Sequence, residues 1–165
     1  MKFRQMWGFA LIILMVLGSC ATSYGPQKLA GGYSEQNIDD ITIQVTFEGN
    51  QYSTVDQIRT YLTYRCSELT LEHDFTHFMI IKDDSFKHLG ADELEDEGIT
   101  FTTTTSMSGG VNTRVSSGFE KSPTETAIGI FTIKMMPKAD PVYATASIDA
   151  QVFIESNEHL IKRKK

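Results

Sequence analysis

The chain has 165 residues and carries 15 Lys and Arg against 21 Asp and Glu, a formal net charge of −6. That balance argues against nucleic-acid binding, which draws its affinity from clustered basic side chains. The length supports one hydrophobic core, and the sequence shows neither an internal repeat nor a second domain.

Met1 to Cys20 differs in composition from everything after it. Lys2 and Arg4 supply a positive start, and Trp7 to Leu17 is an unbroken apolar stretch closed by the small residues Gly18 and Ser19. This is a secretory signal pattern, too short for a spanning helix, which needs ~20 predominantly apolar residues. Leu17-Gly18-Ser19-Cys20 resembles the lipobox of bacterial lipoproteins, an aliphatic residue and two small ones before a cysteine. The resemblance implies a diacylglycerol thioether on the Cys20 sulfur, cleavage of the Ser19–Cys20 bond and acylation of the new amino terminus. Each buried methylene contributes ~0.8 kcal/mol, so several chains give effectively permanent attachment. Ala21 stands where an Asp would signal retention in the inner membrane, so the resemblance points to the outer membrane, facing the periplasm. Loss of residues 1–19 removes two of the 15 basic side chains and no acidic one, leaving 13 against 21, net −8. With Cys20 lipidated, Cys66 has no partner for a disulfide, and its helical position suits a buried, inert thiol.

Residues 20–39, rich in Gly, Ser and polar side chains, are expected to form a flexible spacer between membrane and domain. A single domain over 40–160 follows. Ile41, Ile43, Val45 and Phe47 alternate with polar residues, a period of two that predicts a half-buried strand. Thr54 with Gln57 three residues on marks a helix start. Val55, Ile58, Leu62, Cys66 and Leu69 form its apolar stripe, with Asp56, Arg59, Thr63, Ser67 and Thr70 turned away. Phe75 to Ile81 reads as a central strand, so strand, helix and strand predict a right-handed crossover joining two parallel strands. Residues 83–98 are an acidic connection, Ile99 to Thr105 a strand, and 108–123 a loosely structured stretch with a short returning strand at Val111 to Val115. Thr124 to Met136 is a longer strand stopped by Pro137, and a short helix capped by Ser147 or Asp149 follows. The expected fold is an α/β, two-layer domain with a mixed sheet of about four strands in β-α-β-β-β order and one main helix on one face. Residues 161–165, with the run Lys162-Arg163-Lys164-Lys165, form a basic tail, either solvated or touching anionic headgroups or an acidic partner.

Few residues combine into anything chemical. Glu72-His73-Asp74 and His77 place two imidazoles and two carboxylates within six residues, but His residues four apart share a metal only on one helix face, and here a helix should end and a strand begin between them. Asp83-Asp84 with His88 lies at a strand end but lacks the regular ligand spacing of a calcium loop. Tyr61 and Tyr64 either pack in the core or line a groove. Gly109-Gly110 is a turn. No catalytic, cofactor or metal residues are assigned.

Beyond the lipobox, Gly31-Gly32-Tyr33-Ser34, Phe47, Gly49-Asn50, Tyr52, Tyr61-Leu62, Arg65, Glu68-Leu69-Thr70-Leu71-Glu72 and Phe78 resemble a family of small proteobacterial lipoproteins of unassigned function. A weaker likeness continues at Ile133-Lys134-Met135 and Asp149-Ala150, and this chain has Asp74 where family members tend to have Gly. The resemblance supports lipid anchoring and the strand, helix, strand order, and brings no catalytic residues with it. The functional expectation is a non-enzymatic scaffold or assembly factor with an envelope-protein partner. The alternatives are a module binding lipid or cell-wall ligand, and a metal-dependent hydrolase using His73, His77 or His88.

Overall fold

A computed structural model describes residues 22–86, 100–105, 111–116, 126–137 and 146–163. Ser19 and Cys20, His88, Gly109-Gly110 and Lys164-Lys165 lie outside the described residues, as do most of the acidic connection and the start of the expected Thr124 strand.

Each predicted element has a counterpart. The alternation at 41–47 becomes β2 (Thr42–Glu48), with Ile43, Val45 and Phe47 all buried. Thr54 caps helix α1 (Val55–Glu72), its hydroxyl accepting the Gln57 N–H at 3.2 Å. After α1 come β3 (His77–Asp83), β4 (Thr100–Thr105), β5 (Val111–Ser116), β6 (Ile128–Met136) and β7 (Ser147–Asp149). Helix α2 (Ala150–Asn157) is capped by the Asp149 carboxylate, which accepts the Val152 N–H at 3.0 Å.

The segment expected to be a spacer is built into the fold. It contains β1 (Gly32–Asn37), which pairs antiparallel with β2 from Gly32 opposite Glu48 to Asn37 opposite Ile43. Its last four residues are exposed. An edge strand with both faces wet carries no alternation for sequence reading to detect.

The described architecture is α+β. One sheet has five strands in the order β1-β2-β6-β3-β7, and β4 with β5 forms a separate hairpin. The expected mixed sheet of about four strands is corrected on both strand count and pairing, because every pairing between the described strands is antiparallel. β2 and β3 do run the same way, since each is antiparallel to β6. They are not neighbours, because β6 inserts between them and takes the hydrogen bonds that a simple crossover would have given to a parallel pair.

The polar side of α1 also departs from expectation. The helix packs against β2, β3 and β6 on one side and against α2 and β5 on another. Arg59, Thr60, Thr63, Ser67 and Thr70 are therefore buried. The four hydroxyls tolerate this because each donates to the carbonyl four residues earlier, on Asp56, Arg59, Thr63 and Cys66, at 2.7–2.9 Å. Arg59 meets Asp83 at 3.0 Å and lies over the Phe86 ring.

Asp74 adopts φ 63°, in the left-handed region. Phe75 N–H bonds to Thr70 O at 2.9 Å and Asp74 N–H to Leu71 O at 3.1 Å, the paired bonds of a Schellman ending. The helix thus stops as tightly with Asp as a Gly would allow. Asp tolerates this conformation better than most residues but retains a Cβ cost. Asp74→Gly is expected to raise unfolding free energy by ~0.5–1 kcal/mol, read from the urea midpoint at unchanged slope.

Candidate functional site

Both described chain ends come together on one side of α1. Tyr24 N–H donates to Lys162 O at 2.8 Å, forming a short parallel bridge between Tyr24 and Arg163. The expected basic tail is thus part of the fold as far as Arg163, with Ile161 buried. Tyr24 is 5% exposed. Its ring contacts Tyr33, Phe47, Tyr61 and Tyr64 at centroid distances of 5.2, 6.4, 5.6 and 5.3 Å. Tyr61 and Tyr64 are therefore core residues that use their hydroxyls at the boundary. Tyr61 Oη accepts the Lys162 backbone N–H at 3.2 Å, and Tyr64 Oη donates to Glu158.

A charged network closes over these rings. Arg65 donates to Glu35 of β1 at 2.6 Å and, along its own helix, to Glu68 and Glu72, each at 2.9 Å. Its guanidinium lies over the Tyr33 ring, 4.7 Å from the centroid. Glu68 also accepts the Tyr24 hydroxyl and lies 3.5 Å from Arg163. Arg163 pairs with Glu158 at 2.5 Å, donates to Tyr64 Oη at 3.1 Å and covers the Tyr24 and Tyr64 rings.

Between the N-terminal arm and this network is a pocket of about 400 Å³, lined by Tyr24, Pro26, Tyr33, Arg65, Glu68 and Arg163 among others. Its ionisable groups are tuned by one another. Burial opposes charge on Arg65, and the hydrogen bonds to its three glutamates overcome that and hold it charged. Burial, then the bond to Glu68, keeps the Tyr24 phenol protonated far above the ordinary range, and burial raises Tyr33 likewise. Tyr64 is pushed up to about 12 by burial and by its bond to Glu158. The hydrogen bonds from Arg163 and Tyr64 hold Glu158 below the usual carboxylate value.

The other sequence candidates do not converge. His73 caps the end of α1 in solvent, and Asp74 is in the turn. His77 opens β3, its Nδ1 2.8 Å from Thr76 Oγ1 and its Nε2 3.7 Å from Asp149. Asp83 pairs with Arg59 and Asp84 with Lys82, so the two carboxylates serve different cations. Among the described residues no three His, Cys, Asp or Glu side chains gather as for a metal. Cys66 is buried and its thiol is pushed up by that burial, away from the nucleophilic thiolate. Sequence reading missed Tyr24, Glu158 and Arg163 as partners. Arg65, Glu68 and Glu72, at spacings of three and four on one helix stripe, carried a signal for the network, whereas a single Tyr among Gly and Ser carried none.

Two measurements probe the network. Tyr24→Phe keeps the ring and removes one donor, and is expected to cost ~1 kcal/mol, whereas Tyr24→Ala empties the aromatic cluster at ~3–5 kcal/mol, both read by urea unfolding. A Tyr24→Ala cost near zero would mean that the arm is no part of the fold. For pH, a phenol held protonated in the folded state contributes stability that is fully present below the ordinary value of about 10. That contribution is lost as pH rises through about 12 for Tyr64. Stability should therefore fall above pH ~10, and the fall should be shallower in Tyr64→Phe, which lacks this contribution at every pH.

Comparison with family models, with curated proteins and with solved structures found no match for this chain, so its chemistry has to be taken from its own residues and geometry.

Proposed function

We propose that the chain is an exported lipoprotein, cleaved before Cys20 and held by acyl chains at the periplasmic face of the outer membrane. Its domain acts there without catalysis, as a scaffold or assembly factor for another envelope protein. The observation that carries the non-catalytic part is the mutual engagement of the arginines, carboxylates and tyrosines around the pocket. Arg65 is committed to Glu35, Glu68 and Glu72, and Arg163 to Glu158 and Tyr64. Groups used in this way join chain segments; a general acid or base instead needs a proton to exchange with substrate. The anchoring part is supported by the Leu17-Gly18-Ser19-Cys20 run behind an apolar stretch of signal length. No helix among the described residues is long and apolar enough to cross a membrane.

A second reading, a binding module for a lipid or cell-wall ligand, is favoured by the pocket of about 400 Å³ with its tyrosine and arginine walls.

Cys20→Ala is expected to accumulate as a precursor that keeps residues 1–19 and takes up no labelled palmitate. Normal maturation of that variant would refute lipid anchoring. In-cell crosslinking of the wild type should capture one defined envelope protein and lose it in Cys20→Ala. Capture of glycan or lipid alone would move the ligand-binding module ahead.

A further inference from the structure

Thr22, two residues after Cys20, is 4% exposed and fixed to the domain. Its N–H donates to Ser53 Oγ at 3.3 Å and its hydroxyl to Ala30 O at 3.1 Å. Ala30 belongs to a tight turn closed by reciprocal bonds between the Lys28 and Gly31 backbones, each 3.0 Å. The other residue at its tip is Leu29, fully exposed and the most exposed large apolar side chain among the described residues.

Two residues of extended chain span at most about 7 Å. Acyl chains on Cys20 would therefore enter the bilayer close to the turn that Thr22 holds. A lone exposed leucine is ordinary on a protein surface, but this one has two further features beside it. Lys28 precedes it, and the Tyr24–Arg163 bridge brings the Lys162 backbone against the N-terminal arm that carries the turn. The neighbouring arginines are neutralised by glutamates, whereas among the described residues no ion pair engages Lys28 or Lys162. An apolar tip flanked by uncompensated lysines, in a chain that is otherwise acidic, is the composition of a surface that seats at an anionic bilayer interface.

We infer that the Lys28–Gly31 turn docks into the anchoring membrane. Leu29 enters the boundary between headgroups and acyl chains, and Lys28 and Lys162 meet anionic phospholipid headgroups. This rests on the lipoprotein reading above and adds to it a fixed orientation, with the domain flush on the membrane.

The test uses the full chain, matured in cells, purified in detergent and reconstituted in vesicles of phosphatidylethanolamine and phosphatidylglycerol. Leu29→Cys carries an environment-sensitive fluorophore, with Ile81→Cys on β3 as the comparison. Cys66 is buried, and the Cys20 sulfur is blocked by lipid. Both labelled positions are exposed, so neither substitution removes core packing. Emission from position 29 is expected to shift blue and to be quenched by acyl chains bearing a quencher, while position 81 stays water-like. Adding Lys28→Glu and Lys162→Glu should weaken the quenching at 29. Equal, water-like emission at both positions on an acylated, vesicle-bound chain would overturn the docking while leaving the anchor in place. Intact mass reports acylation separately, and an unacylated mature chain would instead overturn the lipoprotein reading.

Discussion

The Arg65 guanidinium is the interaction on which the arrangement of both chain ends depends. Its side chain is only 11% exposed, so its charge is removed from most of the water that would otherwise solvate it. A cation in that position is tolerated only if anions and hydrogen bonds replace the lost hydration. Glu35 supplies them from the edge strand, Glu68 and Glu72 from the helix, and the Tyr33 ring supplies a favourable face. Satisfying one side chain therefore fixes β1 against α1. Glu68 passes the constraint on, because its remaining capacity is used by the Tyr24 hydroxyl and by Arg163. Removing any one carboxylate would leave a partly buried positive charge short of a partner, which costs more than the lost pair contributes.

The second constraint is that α1 is covered on more than one side. A helix with one apolar stripe would sit on the sheet and leave the rest wet. Here α2 and β5 pack on the helix as well as the sheet, and the back-bonding of its buried Thr and Ser residues leaves none of those hydroxyls looking for water. Asn157 extends the same logic, donating to Thr113 O at 2.8 Å and to Phe153 O at 2.9 Å from a buried position. The hairpin, α2 and α1 thus close on one another through polar groups that are satisfied locally.

These two constraints explain which parts of the molecule were legible in the sequence. Local signals read well: the alternation at 41–47, the Thr54 cap, the stop at Pro137, and Asp149 ahead of a short helix. The spacing of apolar residues names the face of α1 that meets the sheet, but periodicity carries no information about a second covered face built from Thr and Ser. Strand order was not legible either. Inserting β6 between β2 and β3 depends on long-range pairing, such as Val45 opposite Phe131 and Ile80 opposite Ile133, and many apolar strands would satisfy the same pattern. The candidate site was least legible. Tyr24 and Arg163 lie in segments whose composition reads as linker and tail, and they become structural only because the intervening chain folds so as to bring them together.

Packing of the N-terminal arm also changes what lipid anchoring at Cys20 would accomplish. A flexible spacer of some twenty residues would let the domain sample a volume whose radius grows as the square root of its length, with every face available in turn. With Thr22 already held by Ser53 and Ala30, a tether from Cys20 would be two residues long and would leave the domain less rotational freedom. A scaffold gains from that restriction, because a partner meeting a pre-oriented surface loses less freedom on binding than one that must first order its target. The face of the sheet turned away from α1, with Thr46 opposite Ile130 and Met79 opposite Lys134, is only partly covered among the described residues. Under the proposed anchoring, that face would be held at a set height and angle above the bilayer, as an assembly factor requires.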